Sequence, residues 1–150
     1  MSQRINYQKA APGSLKGMME IEKYIANSSF ERSLYELVKL RASQINGCAF
    51  CIDMHTKDAR KAGETEQRLY ALNAWHDTSF YSDRERAALK WTEELTLISE
   101  NAVSDSLYES VHEYFTDEEM VILTMAVIAI NAWNRLAISF RQEPGSYEPE

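Results

Sequence analysis

The sequence predicts an all-α, single-domain protein of about seven helices. Three observations predict it. Apolar residues recur at helical spacing along nearly the whole chain, and strand-like alternation is absent over any useful length. Only five Gly and three Pro interrupt 150 residues, too few for turn-rich β architecture. Two Ser/Thr-x-x-Glu signatures, Ser82 with Glu85 and Thr116 with Glu119, mark helix starts.

The elements follow in order. Residues 10–13 read as a loop. Residues 15–27 carry Leu15, Met18, Met19, Ile21 and Ile25 at helical spacing. Ser28 and Ser29 then offer an N-cap for a helix over residues 31–45, with Leu34, Leu37, Val38, Arg41 and Ile45 on one stripe. Asn46-Gly47 ends that helix through a left-handed turn. The next helix starts near Cys48 and continues to Ala62, where Gly63 stops it. Thr65 caps a short helix holding Leu69, Tyr70 and Leu72. The Ser82 capping box opens a helix over residues 83–99, and Ser104 opens a shorter one through Tyr114. Thr116 opens a long helix to about Phe140. Pro144-Gly145 ends helical structure, and the acidic tail from about residue 143 is expected to be loose. Short connections predict packed antiparallel neighbours.

Length and charge bound the function. A chain of 150 residues fits one domain and buries roughly 68–70% of its unfolded surface, so neither a metal nor a disulfide is needed for stability. Sixteen basic against 23 acidic residues leave a net charge of -7, which repels phosphate backbones and argues against nucleic acid as a partner. The first residues lack the apolar core of a signal peptide. The apolar stretch over residues 120–133 is interrupted by Thr124 and Asn131 and is short for a membrane span. A cytoplasmic protein with no membrane partner is the expectation. Met120, Val121, Ile122, Leu123, Met125, Ala126, Val127, Ile128 and Ile130 cover the full circumference of the last helix. A helix without a polar face must be surrounded, which predicts a homo-oligomer.

The chemistry-bearing residues converge on one stretch. The chain has two cysteines, Cys48 and Cys51, three positions apart and followed by His55. On a helix these three fall within an arc of roughly 60 degrees, so they share one face. A four-residue loop gives a disulfide only about 2 kcal/mol of chain-entropy stabilisation, so a staple is a poor explanation in a reducing compartment. The helix start adds free backbone N–H groups and a dipole that stabilise a thiolate. Redox work is one explanation. A metal site of Cys48, Cys51, His55 and a carboxylate is another, and two core cysteines beside a surface histidine is a third. Periodicity places Glu36 off the apolar stripe, as a solvated carboxylate paired with Lys39 at i+3. His76 reads as a helix-end residue, His112 as surface, Asn131 and Asn134 as hydrogen-bonded structural amides, and Trp91 and Trp133 as core or interface anchors.

Glu36, eleven residues, Cys48-Ala49-Phe50-Cys51, three residues and His55 resemble the core motif of alkylhydroperoxidase D-like (AhpD-like) proteins of the carboxymuconolactone decarboxylase superfamily. The run from Arg41 through Gly47 and the later Ile130-Asn131-Ala132-Trp133-Asn134-Arg135 resemble the same group. The resemblance implies an all-helical fold assembling as trimers or hexamers. It implies a thiol-dependent peroxidase that reduces hydroperoxides and is re-reduced by a dithiol, protein or small molecule. Cys51 would be the attacking cysteine and Cys48 the resolving one, with Glu36 and His55 as proton relay. No organic cofactor or metal is implied. Phe50 stands where the best-characterised members have a histidine, and a benzyl ring cannot relay protons. Two other functions fit less of the motif: a non-catalytic redox sensor or assembly module, and a lactone decarboxylase, which does not need a CxxC.

Overall fold

A computed structural model describes residues 2–149. Among the described residues the chain is all-helical, with eight α-helices and two short 3-10 helices. The helices are α1 (Tyr7–Ala10), α2 (Lys16–Ala26), α3 (Arg32–Asn46), α4 (Ala49–Lys61), α5 (Glu66–Ala71), α6 (Asp83–Thr96), α7 (Asp105–His112) and α8 (Asp117–Phe140). The 3-10 helices span Pro12–Leu15 and Leu72–Asp77. The sequence pattern missed the four-residue α1, whose N-cap Asn6 accepts a hydrogen bond from Lys9 N–H. It also assigned the first 3-10 turn to a loop.

Local chemistry sets most of the ends. Both capping boxes form, at Ser82 with Glu85 and at Thr116 with Glu119. Thr65 and Ser104 cap α5 and α7 through their hydroxyls. Gly47 takes φ 69°, ψ 33° and terminates α3, a conformation that costs an L side chain roughly 1–2 kcal/mol. Ser28 and Ser29 do not cap α3. Ser28 Oγ donates to Ile25 O at 2.7 Å and accepts from Phe30 N at 3.2 Å, so it closes the end of α2 instead. Glu31 precedes α3 with no side-chain cap. Helices α6 and α7 end at Thr96 and His112, earlier than periodicity suggested.

The fold is built around α3, which packs against α4, α6 and α8. Leu34 and Val38 enter one core cluster with Ala88, Val111, Ile122 and Leu123, while Leu37 and Leu40 enter a second with Ala59, Leu72, Trp75 and Leu89. Each such side chain contributes roughly 1.5–3 kcal/mol by leaving water. A helix covered on both sides has no solvent face in its middle turns. Glu36, Lys39 and Ser43 are therefore buried along with their apolar neighbours.

Helix α8 is the second axis of the bundle. Its 24 residues are long and apolar enough to cross a membrane, and 44% of its most apolar stretch is buried by the rest of the chain. Polar side chains tie it inward. Thr124 Oγ1 accepts from Trp91 Nε1 at 3.1 Å, and Asn131 and Asn134 both accept from Asn46 Nδ2, at 3.0 and 2.8 Å. Asn134 Nδ2 donates on to Ser43 Oγ at 3.0 Å. The bundle covers most of the apolar circumference and leaves Val121, Ile128 and Ile138 exposed.

The C-terminal tail is docked, contrary to the expectation that it is loose. Gly145 N–H donates to Asp53 Oδ2 at 2.9 Å, Lys57 Nζ to Tyr147 O at 2.9 Å, and Tyr147 OH to Asp58 Oδ1 at 2.7 Å. Arg141 in the left-handed region turns the chain at the end of α8, which sends these residues across α4.

Asn134→Ala removes a fully buried amide with bonds to Asn46 and Ser43. It should cost about 2 kcal/mol or more, because partners are left unpaired. Urea denaturation should show this as a lower midpoint at unchanged m-value.

Candidate active site

The site begins at the turn between α3 and α4. Gly47 N–H donates to Gln44 O at 3.2 Å and Cys48 N–H to Ser43 O at 3.0 Å, a tight exit that leaves Cys48 as the N-cap of α4. Cys48 Sγ accepts from Cys51 N–H at 3.4 Å. The two cysteines form a disulfide, with Cα atoms 5.3 Å apart. Both are buried and pack with Ala137 of α8 and Phe50. In this oxidised form neither sulfur is a thiolate ligand for a metal, so the four-ligand set considered from sequence is not assembled.

His55 lies one turn beyond Cys51 on the inner face of α4 and is buried. It points at α3. His55 Nδ1 is 3.3 Å from Glu36 Oε2, close but misaligned for a hydrogen bond, so neither atom has a well-formed partner. The other carboxylate oxygen, Glu36 Oε1, accepts from Lys39 Nζ at 2.8 Å. The expected i,i+3 pair is thus present, but the prediction that Glu36 is solvated is overturned. Glu36 is 4% exposed and Lys39 8%, because α3 is enclosed by its neighbours.

Electrostatics in this pocket run against habit. Burial pushes the Glu36 carboxyl up, but His55 and Lys39 more than reverse it, and it titrates below its ordinary range. Burial pushes the His55 imidazole down and the Lys39 ammonium adds to that, against the opposing pull of Glu36 and Asp58, so the ring titrates below its ordinary value. The resting pair is therefore a carboxylate beside a neutral imidazole.

Cys51 and His55 open together onto a cavity of about 560 Å³, whose walls include Phe50, Met54, Lys39, Trp133 and Tyr7. The docked tail contributes Gln142, Ser146 and Tyr147 to the same walls. Cys48 instead faces a smaller cleft of about 310 Å³ on the other side of Phe50, between Gly47 and Arg141. Phe50 thus stands between the two openings. The carboxylates on the large cavity are held by neutral donors: Glu22 accepts from Tyr35 OH at 2.5 Å and from Trp133 Nε1 at 3.0 Å, and Asp58 from Tyr147 OH.

All four residues singled out from the motif, Glu36, Cys48, Cys51 and His55, meet here. The other sequence candidates lie elsewhere. His76 stacks on Trp75 and pairs with Glu93 at 3.2 Å, and His112 pairs with Asp117 at 2.7 Å. Sequence reading missed Asp58, which brings a carboxylate oxygen within 4.8 Å of an oxygen of Glu36 and a ring nitrogen of His55. Its spacing, three beyond His55 and seven beyond Cys51, was a usable signal. Nothing in the sequence pointed to Tyr147.

A family model described as carboxymuconolactone decarboxylase matches residues 12–94, a span containing Glu36, both cysteines and His55. The chain belongs to the carboxymuconolactone decarboxylase family. An uncharacterised protein, YdfG of Bacillus subtilis, is 51% identical over 97% of this chain and 99% of its own. A solved structure from Agrobacterium tumefaciens, of a protein of unknown function provisionally assigned to antioxidant defence as AhpD, superposes with TM-score 0.93. It is 42% identical and covers 97% of this chain and 100% of that one. The alkyl hydroperoxide reductase AhpD of Hyphomonas neptunium is 40% identical over 47 residues, 31% of this chain and 26% of that protein. The debrominase Bmp8 shares the fold, with TM-score 0.81 at 16% identity over 93% of this chain and 75% of its own. The protein is an AhpD-like member of its superfamily, and the expected all-helical architecture is the observed one.

The neutral His55 has a measurable consequence. A folded-state pKa below the unfolded value of 6.5 means that the unfolded chain binds the proton first as pH falls. Stability from this group is complete above pH 6.5 and is lost as pH falls toward the lowered folded value, by at most about 1.4 kcal/mol per pH unit. Denaturation midpoints should fall across that window in wild type, and His55→Gln should flatten the dependence there.

Proposed function

We propose that the protein is a thiol-dependent peroxidase that reduces organic hydroperoxides in a reducing cytosol. One observation carries this: Cys51 of a disulfide-forming pair shares a cavity with His55, whose ring lies against the buried Glu36. The relatives described as AhpD support it.

In the reduced protein, neutral His55 takes the thiol proton of Cys51. The thiolate attacks the terminal oxygen of the hydroperoxide, the O–O bond breaks, and Cys51 becomes a sulfenic acid. The departing alkoxide takes the proton from His55 and leaves as the alcohol. Cys48, whose thiolate the start of α4 stabilises, attacks the sulfenic sulfur, and the departing hydroxide takes up the proton that the Cys48 thiol gave up and leaves as water. A dithiol then reduces the Cys48–Cys51 disulfide and is itself oxidised to a disulfide.

The cavity supports an organic substrate. Its volume of about 560 Å³ is in the range of sites for drug-sized molecules, far beyond what hydrogen peroxide needs. Phe50, Met54 and Trp133 offer apolar surface to an aryl or alkyl group. Burial of such a group adds about 1.4 kcal/mol or more, a factor of about ten. The exposed Val121 and Ile128 on α8 support assembly as a homo-oligomer, with trimer or hexamer as the expected states.

Hydroperoxide consumption with dithiothreitol as reductant tests the cycle. Cys51→Ser should reduce turnover to background, and full turnover in that variant would overturn the assignment. Cys48→Ser, oxidised with one equivalent of hydroperoxide after dithiothreitol is removed, should accumulate one dimedone-reactive sulfenic acid per chain. In wild type, kcat/KM for cumene hydroperoxide should exceed that for hydrogen peroxide by about tenfold or more.

A further inference from the structure

Lys39 belongs to none of the roles given above, yet it is among the least expected residues in the bundle. Lysine is almost never fully buried unless paired, and this one is 8% exposed. Two contacts hold it. Its ammonium donates to Glu36 Oε1 at 2.8 Å and lies 4.0 Å from the centre of the Tyr35 ring. Tyr35 is fixed in turn by its hydroxyl on Glu22. The ammonium also reaches the wall of the cavity onto which Cys51 and His55 open.

We propose that Lys39 is a positioning residue that decides where the proton of the Glu36–His55 pair resides. It neutralises Glu36 so that His55 stays unprotonated and free to act as base. The proposal rests on the peroxidase reading for what the base acts upon, but the proton's location can be read without turnover.

Charge counting supports it. The buried Glu36 carboxylate needs one positive partner, since an unpaired ion in the interior costs several kcal/mol. Two groups can supply it: Lys39 at Oε1, or a protonated His55 3.3 Å from Oε2. With Lys39 present the requirement is met, and a second cation beside it would be repelled. Without Lys39 the same carboxylate would draw a proton onto the ring, and the base would be consumed in the resting enzyme.

The other groups facing the pair do not replace this role. Asp58 of α4 is a carboxylate that favours a protonated ring, so it opposes Lys39. Glu22 of α2 is negative and held by Tyr35 and Trp133. Tyr147 of the tail is a neutral donor to Asp58. Cys51 and Tyr35 are uncharged in the resting protein, and burial pushes the Tyr35 hydroxyl far above its ordinary range. Among the described residues lining this cavity, Lys39 is the one lysine or arginine, and Lys23 and Arg32, which line a neighbouring cavity together with Glu36, form no ion pair with it among the described residues.

The test compares wild type, Lys39→Met and Lys39→Arg. The pair titrates as a unit, so the readout is the midpoint of the acid limb in the pH profile of Cys51 alkylation by iodoacetamide in the reduced protein. Removing a charge at this range should raise that midpoint by about one pH unit or more, with tenfold slower alkylation just below it. Lys39→Arg should return it to within a few tenths of wild type. A midpoint that stays put in a folded Lys39→Met variant would reduce Lys39 to a packing role and overturn the proposal. NMR titration of the His55 ring in the wild-type protein keeps the question open to refutation if that variant does not fold. A ring already protonated at pH 7 contradicts the proposal, and a ring that takes its proton only below pH 6.5 agrees with it. Neither readout depends on hydroperoxide turnover, so loss of the peroxidase assignment and loss of this one would appear separately.

Discussion

A carboxylate has been taken out of water in the middle of this bundle, and much of the surrounding arrangement answers to that. Glu36 sits on α3, which packs against α4, α6 and α8. Desolvating an ion there costs several kcal/mol unless charge and hydrogen bonds are returned. The return comes from Lys39, one turn on along α3, whose ammonium binds Oε1, while His55 of α4 lies 3.3 Å from Oε2. Because His55 is four residues after Cys51, the packing of α4 on α3 that brings the imidazole to the carboxylate also fixes where the sulfur lies.

The second constraint is the turn that precedes the cysteines. Gly47 ends α3 in a left-handed conformation, and the next residue is already the N-cap of α4. A single-residue reversal leaves little freedom, and the amide network of Asn46, Asn131, Asn134 and Ser43 locks it against α8. The network is polar and satisfied, with Asn134 and Ser43 buried and Asn46 and Asn131 half-buried, which favours one arrangement over nearby alternatives. Cys48 is thus held at a helix start with its sulfur accepting from Cys51 N–H, where a thiolate is electrostatically favoured. Cys51 faces the larger cavity on the opposite side of Phe50. One residue of the motif separates the environments of the two sulfurs.

The walls of that cavity come from distant parts of the chain. Tyr7, Trp133 and Tyr147 lie on α1, on α8 and in the tail, and the Tyr147 hydroxyl is anchored on Asp58, one turn beyond His55. Helix α4 therefore presents its inner edge to the proton pair and its outer edge to the tail. The same helix carries the reacting cysteines and organises the space above them.

The sequence by itself determined the helices, their caps and the chemical core. Capping boxes act over three residues, glycine is favoured where φ turns positive, as at Gly47, and apolar spacing reports a helix face, so these features are local and can be read along the chain. The Cys48–Cys51–His55 spacing was legible for the same reason, since all three lie within two turns of one helix, whereas Glu36 entered the site only through the resemblance to AhpD-like proteins. Ser28 was misread because its hydroxyl had two neighbouring helix ends to serve and closed the nearer one. Only the tertiary structure decided that Glu36 and Lys39 are dry. Periodicity identifies one buried stripe, whereas α3 has neighbours on several sides, and no pattern within a helix reports how many neighbours it has. The docked tail was illegible too, because its bonds join Gly145 and Tyr147 to Asp53, Lys57 and Asp58, residues some ninety positions away. Local rules fix what each segment is. The dielectric around a charge, and the shape of a cavity, are set by which segments the fold brings together.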